Sequence, residues 1–537
     1  MSRPASWDAI VIGGGLNGLT AATALARAGR RTLVLERRQI AGGTATTEEF
    51  APGFRADGTL HDVGWLAPPV ADLMGLGRFE LVRPDPQAIV PLPDGGVFTL
   101  PAAPREAVEA IRRFSAADAA AWEEFCAGMD RLAGFLATIA LAPAPRPLDL
   151  SPGNLVPLLS LGRRVRGLGR AGMIDLLRIV PMSAAELLSD RFECEPLKGA
   201  VAAAGLAHLF QGPRAGGTAF TLLHHHMGAG AGRFRGRGFV RGGAGVLADA
   251  FAAAARAAGA EIRFSAEVAA IRLAGGRLRG VALAGGDEID APAVLSSVDP
   301  RRTLLGMVPA EALDPELARS VSHIKCRGVM VKVQLALAEA PRLRGAAGGE
   351  LPAGILSLTP DLDTMERAYD DAKHGGISRR PVVEAFLPTR LDPSLAPAGR
   401  HVLTAWGQFA PYRLSEGGWD AGRREAAGDA IVAALAEAAP NIPGAILHRQ
   451  VLTPVDLENR LGAPEGNLYQ GEMTLDQILF MRPVGGWARH ETPVDGLWLC
   501  GTGTHPGGGL PGAAGMLGAR AALRAARRSP SVRTDAR

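Results

Sequence analysis

The chain has 537 residues, 47% of them hydrophobic and 21% charged. This excludes a single small core, a disordered chain and a fibrous one, and points to more than one folded unit. The formal net charge of +4 is a tail property, since residues 520–537 carry six Arg and one Asp; no basic stripe interleaved with aromatics marks a nucleic-acid partner. Cys126, Cys194, Cys326 and Cys500 stand singly, which argues against a dithiol centre or a thiolate zinc site and fits a reducing, cytoplasmic setting. The opening residues leave no room for a secretion signal, and no apolar run reaches the roughly 18 residues of a membrane span.

Residues 8–12 read as a buried strand, 17–28 as an Ala- and Leu-rich helix and 32–36 as a second apolar strand, so the pattern opens β-α-β. From 76 to 235 the texture turns to helical stretches broken by Pro-rich loops such as 141–152. A Gly turn and helix follow over 238–260. Strands are expected at 261–264 and 293–296, with a hairpin of 268–273 and 279–283 around Gly275-Gly276 between them. Between 302 and 483, strands such as 329–335 and 402–406 mix with helices such as 423–438. Strand 497–500, a glycine-rich loop and helix 513–526 complete the pattern. The fold class is α/β: a Rossmann-type dinucleotide-binding domain from 1–75, 235–300 and 485–537, interleaved with an α+β substrate domain, partly helical, from 76–234 and 301–484.

Gly13-Gly14-Gly15-Leu16-Asn17-Gly18 satisfies GxGxxG in the right place, after a strand and at the start of a helix. Gly13 permits the tight turn, Gly15 lets the backbone approach a pyrophosphate and Gly18 lets helix and sheet pack closely. The helix N-terminus turns free N–H groups toward the phosphates. Glu36 closes the next strand at the spacing of an acid that accepts hydrogen bonds from ribose hydroxyls and repels a 2′-phosphate. A second match, 167–172, follows the arginine-rich 163–166 rather than a buried strand, and no acid-ended strand succeeds it. It predicts no second nucleotide site.

The run His224-His225-His226 invites a metal reading. As neighbours on a strand the three would point to alternate faces, with no carboxylate at ligand spacing, so no metal site is expected and a structural or pocket-lining role remains. His505 lies inside the glycine-rich loop and His61 where the chain should pass the cofactor ring; with His225 they are the candidates for hydrogen-bonding the cofactor or moving a proton. The stretch 158–180 mixes apolar and Arg residues on a helix. Docking on a membrane surface competes there with a solvated arginine face over a core stripe.

After Glu36 come Arg37-Arg38-Gln39-Ile40-Ala41-Gly42-Gly43-Thr44-Ala45-Thr46, and the late loop runs Gly501-Thr502-Gly503-Thr504-His505-Pro506-Gly507-Gly508-Gly509-Leu510-Pro511-Gly512. With Gly238-Phe239-Val240-Arg241-Gly242-Gly243, 365–372 and 453–458, these segments resemble the phytoene-desaturase-like flavoproteins over nearly the whole chain. They are most similar to the branch named for pyridine nucleotide-disulphide oxidoreductase domain-containing protein 2. The resemblance implies FAD. It sets Gly42, Gly43, Thr44 and Ala45 near the phosphates and ribityl chain, counts Arg37 among the cofactor-binding residues, and lays the backbone at Val268 against the adenine. It also has the loop with Gly501, Gly503, Leu510, Pro511 and Gly512 bring a second helix N-terminus to the flavin's pyrimidine end, where a positive dipole favours the reduced, anionic form. Thr44 departs from the Arg frequent in the family, and 57–62 from its usual acidic-Gly-Pro turn.

The implied reaction is hydride transfer between an apolar, isoprenoid- or carotenoid-like molecule and flavin N5, with oxygen or a quinone as the electron acceptor. Such transfer needs a dry, shaped cavity and no acid–base pair. Amine oxidation, redox-neutral isomerisation on reduced FAD and a non-catalytic flavin-bearing interaction protein stand as alternatives. An aromatic cage beside the flavin would favour the first.

Overall fold

The structure, a computed structural model, describes residues 7–60, 62–77, 79–146, 151–230, 232–345 and 349–528. His61 therefore lies outside the described residues. Ala9–Ile12 and Thr32–Leu35 are strands in which every residue is buried, as in a parallel sheet covered on both faces. The five-stranded sheet runs Leu497–Leu499, Val294–Ser296, Ala9–Ile12, Thr32–Leu35, Glu261–Arg263, with every pairing parallel. Helices Ala244–Ala257 and Ala513–Arg528 both pack on the helix Leu16–Arg27. One parallel layer thus gathers strands far apart in sequence.

Beside it, Val268–Ala274, Arg277–Leu283 and Glu288–Asp290 form an antiparallel meander. Its first turn is at Gly275 and Gly276, both in the left-handed region (φ +58° and +76°), which a two-residue hairpin loop requires.

A second sheet of seven strands runs Ile446–Leu452, Met330–Leu337, His401–Gln408, Val382–Phe386, Leu356–Leu358, Ala88–Pro91, Val97–Leu100, antiparallel except where Leu356–Leu358 meets Ala88–Pro91. Its last two strands fall within the stretch from 76 that the sequence reads as helices broken by Pro-rich loops, and add a hairpin to it. Pro91 ends the inner of these two strands, and the outer one, Val97–Leu100, is the sheet's edge. Elsewhere in that stretch helices do prevail. The 25-residue helix Ala116–Ala140 is capped by the Ser115 hydroxyl, which accepts from Asp118 N at 3.1 Å.

The histidine run is a correction. It forms the C-terminal end of the helix Thr218–His226 rather than a strand. Successive residues are therefore turned about 100° apart rather than to opposite faces. The decoy glycines lie at the joint of two helices, Pro152–Gly167 and Gly169–Ile179.

Candidate active site

A single cleft runs from the GxGxxG turn of the parallel sheet to the face of the seven-stranded sheet. At the turn, Gly13 holds φ at +95° and a Cβ on Gly18 would sit 1.9 Å from Gly13 O, so turn and helix meet too closely for side chains. Gly15 is another matter. Its φ is an ordinary −73°, and an added Cβ would meet nothing nearer than Gly43 Cα at 3.7 Å. Neither strain nor packing requires glycine there; what a side chain would fill is the cleft that Gly15 lines. The helix Leu16–Arg27 has no side-chain cap at its N-terminus, which leaves first-turn amides for an anion.

The Glu36 carboxylate accepts from Gly14 N at 2.7 Å with one oxygen and from Arg38 N at 2.8 Å with the other. A lone pair on each remains for ribose hydroxyls. Gly42 N donates to Gly14 O at 2.8 Å, setting Gly42, Gly43 and Thr44 along the wall. Arg37 lines the same end and donates to Arg460 O at 2.8 Å, its pKa lowered by burial and then by Arg302. Arg38 and Arg302 stand there too, paired with Glu48 at 2.7 Å and Glu267 at 3.1 Å. Arg302 carries no local sequence signal.

From the other side, residues 507–511 of the late loop line the cleft. Asn17 ties the pieces together: its Nδ2 donates to Thr502 Oγ1 at 3.1 Å, and its Oδ1 accepts from Gly515 N at 3.2 Å. Arg482, which no sequence motif marks, is buried and donates to the carbonyls of Tyr469, Gly471, Glu472, Gln477 and Thr502. Burial lowers its pKa only to about 10, so it stays charged and staples the loop in place.

At the inner end the register of the sheet sets the floor. Met330, Gln408 and Val382 stand in one row across three strands, and Lys332, Trp406 and Glu384 in the next on the same face. All but Lys332 line the cleft, with His208, His225, Arg235 and Tyr469 around them. Glu384 pairs with Arg235 at 3.1 Å and with Arg237, and Asp62 lies 3.6 Å from Arg237. Burial opposes ionisation of Glu384, but the two guanidiniums outweigh it and hold the carboxyl down to about 2. Lys332 donates to Asp57 O and Thr59 O at 2.6 and 2.8 Å, and burial brings it down to about 7. Its Nζ sits 5.2 Å from the Trp406 ring centre. The His208 ring meets both Trp406 (5.7 Å) and Tyr469 (4.9 Å) at steep interplanar angles. Burial holds His208 and His225 neutral, the former lowered to about 3. Two buried atoms on lining residues, His225 Nε2 and Gln408 Oε1, have no hydrogen-bond partner among the described residues.

The geometry matches what the comparisons with known proteins give. A family model described as flavin containing amine oxidoreductase covers residues 16–528.

The chain belongs to that family.

Across 547 residues it is 35% identical to the rat pyridine nucleotide-disulfide oxidoreductase domain-containing protein 2, over 96% of this chain and 93% of the relative. It is 27% identical to one of the limonene dehydrogenase polypeptides of Castellaniella defragrans, over 95% and 93%. Among solved structures, putrescine oxidase bound to putrescine shares the fold, with a TM-score of 0.57, 18% identity and coverage of 98% and 100%. This member of the flavin-containing amine oxidoreductase family is therefore an FAD-dependent oxidoreductase, as the sequence resemblance implied. The uncapped helix and the open face of Gly15 suit that dinucleotide.

The sites read from the sequence fall into two sets. Gly13, Gly15, Leu16, Asn17, Glu36, Arg37, Gly42, Gly43, Thr44, Val268, Leu510 and Pro511 line the cleft, as does His225. Gly14, Gly18, Ala45, Gly501, Gly503 and Gly512 stand outside the lining; at Gly18 and Gly501 the missing side chain lets backbones pass, since a Cβ on Gly501 would meet Ser297 O at 2.4 Å.

His505 is a correction. It is fully buried, away from the cleft lining, and its Nε2 donates to Ile139 O and Ala142 O at 3.2 and 3.1 Å. Burial lowers it to about 4. It braces the loop against the end of the helix Ala116–Ala140 and does not face a substrate. His224 likewise donates to Gly508 O at 2.7 Å, and His226 pairs with Asp130 at 2.9 Å. Among the described residues no group of His, Cys, Asp and Glu is placed to hold a metal ion.

Proposed function

We propose that the chain dehydrogenates a small, largely apolar, isoprenoid-like molecule that carries one hydrogen-bonding group. FAD supplies the two-electron acceptor, and oxygen or a quinone takes the electrons onward. Gly13, Gly15 and the N-terminus of Leu16–Arg27 would hold the pyrophosphate, Glu36 the ribose, the backbone at Val268 the adenine, and residues 508–511 the flavin end. Around the substrate, Met330 and Val382 offer apolar contact, while His225 and Gln408 keep unengaged polar atoms to orient it. Fixing one carbon in a water-poor recess is most of what hydride transfer asks of a protein.

His208 carries the choice between this reading and amine oxidation. An ammonium is gripped by the faces of aromatic rings, but here an imidazole already contacts both Trp406 and Tyr469, and the Trp406 ring faces Lys332. The limonene dehydrogenase polypeptide among the relatives supports an isoprenoid skeleton.

The test is anaerobic mixing of the FAD-loaded enzyme with monoterpene hydrocarbons and alcohols, and separately with putrescine, following the oxidised-flavin absorption. Saturable bleaching by the terpenoids alone is expected. Bleaching by putrescine, or by neither class, sinks the reading.

A further inference from the structure

Five of the 13 large hydrophobic side chains exposed among the described residues lie in one helix pair. Pro152–Gly167 exposes Leu155, Val156 (70%) and Leu159 (65%), and Gly169–Ile179 exposes Ile174 and Leu177 (77%). Their spacings, i to i+4 and i to i+3, gather them into one stripe on each helix. The core does not need them. Leu168, Leu176 and Ile179 pack against it from the same segment, and Asn154 is buried, donating to Arg146 O at 2.7 Å.

Beside the joint of the two helices stand Arg163, Arg166 and Arg170, exposed and with no ion pair among the described residues. Their neighbours are engaged: Arg164 donates to Thr138 O at 3.1 Å, and Arg178 pairs with Asp190. Asp175, the one acid between 151 and 180, lies 3.7 Å from Arg131. The patch thus combines unsatisfied apolar area with unmatched positive charge.

We infer that this helix pair docks on an anionic membrane surface. The stripes of Leu155, Val156, Leu159, Ile174 and Leu177 enter the headgroup–acyl boundary, and Arg163, Arg166 and Arg170 meet lipid phosphates. No helix among the described residues is long and apolar enough to cross a membrane, so the contact is interfacial. A second copy of the chain matches the patch poorly, because a two-fold contact presents the same surface from both sides. That would bring two clusters of unmatched arginines together with no acid between them. Lipid phosphate supplies the missing sign.

Flotation of the FAD-loaded protein with phosphatidylcholine vesicles, with and without phosphatidylglycerol, tests this. Binding is expected on the anionic vesicles only, weakening as salt is raised. The double variant Arg163→Glu, Arg166→Glu should bind at least about tenfold more weakly. Leu159→Ser with Leu177→Ser should lose binding to a similar degree, and that arm decides the matter, because a basic tail beyond residue 520 would feel neither serine. Retained flavin absorption shows that each variant is folded. Failure of the wild type to float overturns the inference, as does flotation indifferent to the serines. So does a patch that proves, by sedimentation velocity, to hold two copies together.

Discussion

The cradle end and the recess end of the cleft are made of different material. The cradle is backbone: a glycine turn, the free end of a helix and the 42–44 loop, with a carboxylate holding two amides in place. The recess is side chain: rows from three strands of the second sheet, closed by two arginines and an acid. A backbone site is spoiled by adding an atom, and a side-chain site by removing a charge. Substitutions at the two ends should therefore fail in different ways.

The largest effect is expected at Gly15. Gly15→Val should yield a folded, colourless protein, because the neighbouring protein atoms leave room for the side chain and only the cofactor does not. Gly18→Val, with Gly13 O in the way, should not fold at all. Absorption spectra read beside thermal unfolding separate these outcomes, and a yellow Gly15→Val protein would show that the pyrophosphate lies elsewhere.

At the recess end, Glu384→Ala leaves two buried guanidiniums with Asp62 as their one remaining ion-pair partner among the described residues, a loss of about 3–5 kcal/mol in unfolding free energy. Its pH signature has a definite sign. The folded carboxyl titrates at about 2, below its usual 4.5, so its stabilisation is complete above about pH 4.5 and drains away as the pH falls toward 2. Denaturant midpoints across that window should fall steeply for the wild type and more shallowly for Glu384→Gln; equal slopes would place the charge balance elsewhere.

A gentler change at the cradle is Glu36→Ala, expected to weaken FAD binding by about 1–3 kcal/mol, measured by titrating the apoprotein. Damage exceeding that of Gly15→Val would misplace the adenosine. The smallest effect belongs to the look-alike motif. Gly167 closes a helix with no atom within 4 Å of a built Cβ, so Gly167→Ala should leave flavin content unchanged and stability equal or about 0.5–1 kcal/mol higher. Micromolar NADH or NADPH should likewise fail to bleach the enzyme rapidly in anaerobic mixing; fast, saturable bleaching would mean a nicotinamide site assembled from remote segments.

The same contrast explains what the sequence could show. Gly13, Gly15, Gly18 and Glu36 are legible because the cradle is nearly contiguous and its residue types are forced by geometry. Glu384, Arg235, Trp406 and Gln408 meet only through the register of long-range strand pairs, which no local spacing announces. Lys332 and Gln334 are polar residues inside a wholly buried strand, Met330–Leu337, and that break in an apolar run is the one faint signal the recess left. His505 misled for the opposite reason: it sits in the right loop, but its side chain turns toward the carbonyls that end Ala116–Ala140.

The parallel sheet also sets a schedule for synthesis. Its edge strand Leu497–Leu499 pairs with Val294–Ser296 and leads directly into the loop that closes the cleft. A ribosome adds about 5–20 residues per second. The glycine turn and Glu36 are therefore exposed for tens of seconds before their counterpart exists, and Val294–Ser296 waits meanwhile as an unpaired apolar edge. With FAD placed as proposed, cofactor captured during that interval is held only by its adenosine half. On that placement, full retention of the cofactor and protection of that edge arrive together and late, so loading is timed by the synthesis of Leu497–Leu499 and the loop after it as much as by the supply of flavin.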